Sequence, residues 1–197
     1  GNAEQLASEG VQADRIVVTG NTLADALENL AVDDAEMAEL LASRGVEKDG
    51  YVLSTLHRAG AVDDRETLTA LITALAGLAE KVPVLLPLHP RTAGNLDKWG
   101  MRDLLGRITV LEPLGPREFM ALEQGAALIV SDSGGVQEEA CFFRRPLVVV
   151  RDSTERPELL DGWCRLLGDA DPVPTLAQAW EDAEEWRASL QDRPLPY

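Results

Sequence analysis

One feature narrows the fold of this chain more than any other: short continuous apolar runs alternate with longer segments whose apolar residues return every three or four positions. The runs are residues 51–56 (YVLSTL), 82–88, 108–111, 127–130, 147–150 and 164–167. Residues 15–19 (RIVVT), closed by Gly20, read as one more buried strand. Helices are expected at residues 22–30, where Asn21 stands ready to cap, and from Asp33 and Asp34 to Gly45. Further helices are expected at residues 64–80, 96–105, 116–123, 136–143 and 176–190. Strands that alternate with helices pair in parallel through right-handed crossovers. Strands without a polar face need helices on both sides of the sheet. The expected class is therefore α/β, a doubly wound, Rossmann-like parallel sheet, and 197 residues suit one domain with a real core.

Ligands of such sheets bind beyond the carboxyl ends of the strands. The unusual polar residues gather there: His57, His89, Ser133, Arg151 and Arg156 all follow predicted strands. The sharpest segment is Ser131-Asp132-Ser133-Gly134-Gly135-Val136-Gln137-Glu138-Glu139. Two glycines after a strand let a backbone approach a ligand closely. The helix behind them offers unspent amides and the positive end of its dipole, which suits a diphosphate. Glu139, one turn further in, lies where a ribose hydroxyl would be met. A plain tight βα turn is the bland alternative, and the other polar strand ends weigh against it.

Rival chemistries find less support. No GxxxxGK[ST] loop and no GxGxxG fingerprint is present. Ser133, His57 and Asp132 could furnish a serine hydrolase, but Ser131 stands where the nucleophile elbow GxSxG needs its first glycine. Neither histidine has a carboxylate or cysteine at ligand spacing, so no metal site is expected. The charged loop 151–158 suits either phosphate forks or an internal Arg–Glu network. A net charge of -16 disfavours nonspecific nucleic-acid binding. No apolar run approaches the ~20 residues of a membrane span, and no leader peptide opens the chain. Cys141 and Cys164, far apart in sequence, make neither a zinc motif nor a disulfide framework, and Cys141 is expected to be buried. These features point to a reducing cytoplasm. Both ends look cut, as in one domain of a longer protein.

The segments VTGNTLADAL, TLHRAGAVDD, PLHPRT, EPLG, SDSGGVQEEA, RDSTERPE and CRLLG follow one another from Val18 to Gly168. With them the chain resembles the C-terminal domain of the non-hydrolysing UDP-N-acetylglucosamine 2-epimerases. SDSGGVQEEA followed by RDSTERPE is the specific pair. The resemblance implies that residues 1–197 are the UDP-binding C-terminal half of a glycosyltransferase-B-like fold. It implies that His57, Ser133, Gly134 and Gly135 contact the diphosphate and that His57 has a possible catalytic part. It further implies that Glu139 binds the ribose hydroxyls, the backbone around Leu114 reads the uracil, and Arg156 lies near the phosphates. The implied reaction of the full-length enzyme, a homodimer, expels UDP from UDP-N-acetylglucosamine, inverts C2 through a glycal-like intermediate and re-adds UDP. It needs no cofactor. Alternatives are a UDP-sugar-dependent glycosyltransferase, a hydrolysing epimerase or a noncatalytic UDP-sugar-binding module. The sequence departs from the family pattern at Gly60-Ala61, where Glu-Asn usually follows His-Arg-Ala, and the family's catalytic carboxylates belong to the N-terminal domain.

Overall fold

The computed structural model describes residues 2–19 and 22–196. Among them, one parallel sheet is built from β1 (Val52–Thr55), β2 (Val84–Pro87), β3 (Thr109–Leu111), β4 (Leu128–Ser131), β5 (Leu147–Val149) and β6 (Cys164–Leu166). Their order is β3-β2-β1-β4-β5-β6. Every pairing is parallel, with Val52 beside both Val84 and Leu128. The chain thus winds outward one way from β1 and then the other way from β4, as expected of a doubly wound sheet. Six of the seven runs read as strands take that place; the inner ones are buried on both faces, while β3 and β6 at the edges expose Thr109, Val110 and Arg165. Leu53, Leu85, Ile129 and Val149 are fully buried.

The seventh run does not. Arg15 ends a 3-10 turn (Ala13–Arg15), residues 16–19 join no strand among the described residues, and Val17 and Val18 are 78% and 80% exposed. β-Branched residues favour an extended backbone, and Ile16 has one, but a buried strand also needs a neighbouring edge, which local sequence does not reveal. The expected terminator Gly20 and cap Asn21 lie outside the described residues.

The helices are α1 (Asn2–Ser8), α2 (Thr22–Leu30), α3 (Asp34–Ser43), α4 (Ala59–Val62), α5 (Arg65–Ala79), α6 (Pro90–Lys98), α7 (Pro116–Gly125), α8 (Gly134–Phe142), α9 (Pro172–Glu181) and α10 (Ala183–Leu190). The side chain of Asp33 caps α3 and that of Asp64 caps α5. α5 packs on α9, while α7 packs on α3 and α8 and α2 lies against both α7 and α8. The sequence placed a helix at residues 96–105. Instead α6 begins at Pro90, a residue pre-set for a first helical turn, and His89 Nδ1 accepts the Arg91 amide at 3.1 Å. The helix read at residues 176–190 is two helices that meet at Asp182.

Candidate functional site

The strand order reverses between β1 and β4, and the strongest polar segments of the sequence follow these two strands. Thr55 and Ser131 are register partners at their ends, with their hydroxyls 2.7 Å apart. Asp132 comes next and is fully buried. Its Oδ2 accepts the backbone N–H of His57 at 2.8 Å and of Arg58 at 2.7 Å. His57 Nδ1 stands 3.0 Å from Asp132 Oδ1. One carboxylate therefore holds the loop after β1 through Oδ2 and sets its other oxygen beside the ring that this loop carries, at a distance without hydrogen-bond geometry. In the sequence Asp132 had drawn notice only as a member of a serine-hydrolase triad. Its partners lie 74 and 75 positions away, so no local pattern gave its task.

Ser133 precedes α8 in an extended conformation, and its side chain caps none of the helix amides. The first turn of α8 is Gly134-Gly135, inside the helix rather than in a turn before it. Neither glycine has a positive φ, so backbone conformation does not require them, and glycine weakens a helix by ~1 kcal/mol relative to alanine. What they provide is room. A Cβ on Gly135 would meet nothing nearer than Glu139 Oε1 at 3.8 Å, and one on Gly134 only the mobile ends of Arg58 and Glu155. The uncapped helix start leaves its first amides without a side-chain acceptor, with the ends of Arg58 and Glu155 beside it.

Two hollows flank this point. One, about 320 Å³, is lined by His57, His89, Pro113, Phe119, Ser133 and Glu139, among others. Leu114 lies half-buried against the core, next to lining residue Pro113. The other, about 1,010 Å³, is lined by His57, Arg58, Gly60, Arg91, Arg151 and Asp169, among others. His57 borders both, and its ring centroid is 5.3 Å from that of His89. A Cβ at Gly60 would meet nothing within 4 Å, so packing does not require glycine there.

The loop after β5 is an Arg–Glu network. Arg151 Nη2 donates to Glu155 Oε1 at 3.0 Å, and Arg58 Nη1 stands 3.5 Å from the same oxygen. These arginines hold the Glu155 carboxyl below its ordinary range. Arg156 Nε lies 3.0 Å from Glu138 Oε1 on α8. Gln137, buried and unremarked in the sequence, ties the loop to α8: its amide donates to Ser133 O at 3.2 Å, and its carbonyl accepts the Thr154 hydroxyl. Glu139, partly buried at the edge of the smaller hollow, has its carboxyl pushed up by burial. Cys141 and Cys164 are free and buried, with thiols pushed up by burial to about 12 and about 11. Among the described residues, no three potential metal ligands cluster and no helix is long and apolar enough to cross a membrane.

The family profile of the UDP-N-acetylglucosamine 2-epimerases matches residues 1–195. The UDP-N-acetylglucosamine 2-epimerase of Methanococcus maripaludis is 38% identical over 177 residues, covering 86% of this chain and 48% of that protein. The Pseudomonas aeruginosa UDP-2,3-diacetamido-2,3-dideoxy-D-glucuronate 2-epimerase is 45% identical over 114 residues, covering 57% of this chain and 31% of that one. Among solved structures, the Methanocaldococcus jannaschii UDP-GlcNAc 2-epimerase in complex with UDP-GlcNAc and UDP superposes with a TM-score of 0.76 at 34% identity, over 98% of this chain and 54% of that one. The chain spans about half the length of these epimerases over which it matches most fully.

Proposed function

The chain belongs to the UDP-N-acetylglucosamine 2-epimerase family, and from that premise we propose that residues 1–197 form the UDP-binding C-terminal domain of a two-domain epimerase. The observation that carries the proposal is the uncapped start of α8 at the strand reversal, beside a histidine ring 3.0 Å from a buried carboxylate. Ser133, Gly134 and Gly135 take the diphosphate on the free amides of that helix turn. His57, beside Asp132, donates to a phosphate oxygen. Glu139 accepts from the ribose hydroxyls in the smaller hollow, and the backbone around Leu114 reads the uracil. Arg156 approaches the phosphates from the loop after β5 once it turns from Glu138.

In the whole enzyme, which acts as a cytoplasmic homodimer, UDP-N-acetylglucosamine loses UDP by cleavage of the anomeric C–O bond. The C2 configuration is inverted through the glycal-like intermediate, and UDP returns to give UDP-N-acetylmannosamine. This domain holds the leaving group throughout, and a facing N-terminal domain supplies the acid–base groups at the sugar. Proton NMR of the product made from UDP-N-acetylglucosamine by the whole enzyme tests the reading. UDP-N-acetylmannosamine is the expected product; free N-acetylmannosamine, or transfer of the sugar to an acceptor, refutes it. Gly60-Ala61 favours a second reading, a UDP-sugar-binding module without catalysis, which would show binding with no turnover in the whole protein.

A further inference from the structure

One buried group has no part in the site as described so far. Glu123 lies on α7, which packs against α8, and is fully buried, and neither of its carboxyl oxygens meets a hydrogen-bond partner. The carboxyl that acts on it by charge is that of Glu139, on the helix packed against α7. No cation acts on either member of the pair among the described residues. The nearby charges are otherwise engaged. On α7, Arg117 pairs with Glu36 and Glu118 with Arg44, both partners lying on or next to α3. Tyr51, just before β1, faces Glu123 but gives its hydroxyl to Leu122 O, and Arg145 pairs with Asp49. On α8, Glu138 acts on Glu139 and is held by Arg156. α2 packs against both helices with Leu27 buried and Asp25 exposed.

A buried carboxylate without a partner costs several kcal/mol, so such a group keeps its proton or finds one to share. Two facing carboxyls without a cation share a single proton. Burial pushes Glu123 well above its ordinary range, more deeply enclosed as it is than Glu139. The proton therefore resides on Glu123, and the charge on Glu139, at the edge of the hollow. We propose that Glu123 is a positioning residue for the nucleotide site, donating a hydrogen bond from its carboxyl to Glu139 and so holding the Glu139 carboxylate toward the ribose diol of UDP. The proposal rests on the reading of Glu139 as the ribose-binding residue. An ionised carboxylate is acceptor-only, with room for the Glu123 O–H and for both ribose hydroxyls.

The test is calorimetry of UDP and of 2′,3′-dideoxy-UDP on this chain across pH, with Glu123→Met, Glu123→Gln and Glu139→Ala. Glu123→Met removes the donor and is expected to weaken UDP about tenfold while leaving the dideoxy analogue nearly unchanged. Its UDP affinity should also begin to fall at a higher pH than that of the wild type as acid is added, because Glu139 no longer receives a hydrogen bond. Glu123→Gln, whose amide donates in the same place, restores the affinity. It also removes the loss of affinity expected of the wild type at alkaline pH, where the shared proton leaves. A folded Glu123→Met variant with wild-type affinity and pH profile overturns the proposal. If that variant does not fold, retention of the alkaline loss in Glu123→Gln overturns it. Should Glu139→Ala leave the preference for UDP over the dideoxy analogue unchanged, the ribose assignment itself fails, and the proposal with it.

Discussion

Replacing Asp132 separates what the strand reversal needs for folding from what it needs for binding. Asp132 is fully buried and its Oδ2 accepts two backbone N–H groups, from His57 at 2.8 Å and Arg58 at 2.7 Å. Asp132→Ala leaves both donors without that acceptor. Each orphaned donor costs roughly 1–3 kcal/mol, and relief of the carboxylate's own burial offsets part of the sum. The expected net loss is about 2–4 kcal/mol, read as a shift of the urea midpoint by tryptophan fluorescence with an unchanged slope. Asp132→Asn is milder because both bonds converge on one oxygen, which an amide carbonyl replaces. Only the charge is lost, at about 0.5–1.5 kcal/mol. The binding consequence lies at His57. In the wild type its Nδ1 lies 3.0 Å from a carboxylate oxygen, and Asp132→Asn puts an amide in that place. Loss of such an outer partner should weaken UDP roughly tenfold and uridine, which lacks the phosphates, far less. An alanine variant within about 1 kcal/mol of wild type, or an asparagine variant with unchanged UDP affinity, refutes this account of Asp132.

Other outcomes follow from the same geometry. Ser133→Ala combined with Gly134→Val should weaken UDP at least tenfold, roughly 1.4 kcal/mol, and unchanged calorimetric affinity in a folded variant would remove the helix start from the site. Glu155→Gln removes a carboxylate from beside that helix start and frees Arg58 and Arg151, so UDP should bind roughly threefold tighter at low salt; weaker binding would mean the network serves the site only as a scaffold. The raised carboxyl of Glu123 contributes stability that is fully present below the ordinary value of 4.5 and lost as pH rises toward its folded value. Glu123→Gln should therefore gain on wild type by up to about 1.4 kcal/mol per pH unit above that point, and urea midpoints that stay parallel from pH 5 to ~7 would contradict it. Purified alone, the 197-residue chain should bind UDP yet form no UDP-N-acetylmannosamine, and sustained product in the proton NMR spectrum would show that no second domain is needed.

The alternation of apolar runs determined the class of this protein without help from tertiary structure. Most residues of a strand covered on both faces are apolar, so residues 51–56, 82–88 and 147–150 declared themselves, Ser54 being a buried exception. The glycine pair at Gly134-Gly135 also stood out in the sequence, but as a turn before a helix at residues 136–143, whereas both glycines lie inside the first turn of α8. What tertiary structure alone decided is which distant groups meet. Residues 16–19 have the composition of a strand, but a strand also needs a partner, and among the described residues they have none. Asp132 and Glu123 look like ordinary acidic residues in sequence. Their roles come from partners on other elements, the backbone amides after β1 and the Glu139 carboxyl on α8. Burial shifts a charge or fixes a loop only once the chain has brought such groups together. Local pattern reports the solvent a segment will see, whereas the cost of a buried proton or an orphaned amide is set by contacts across the fold.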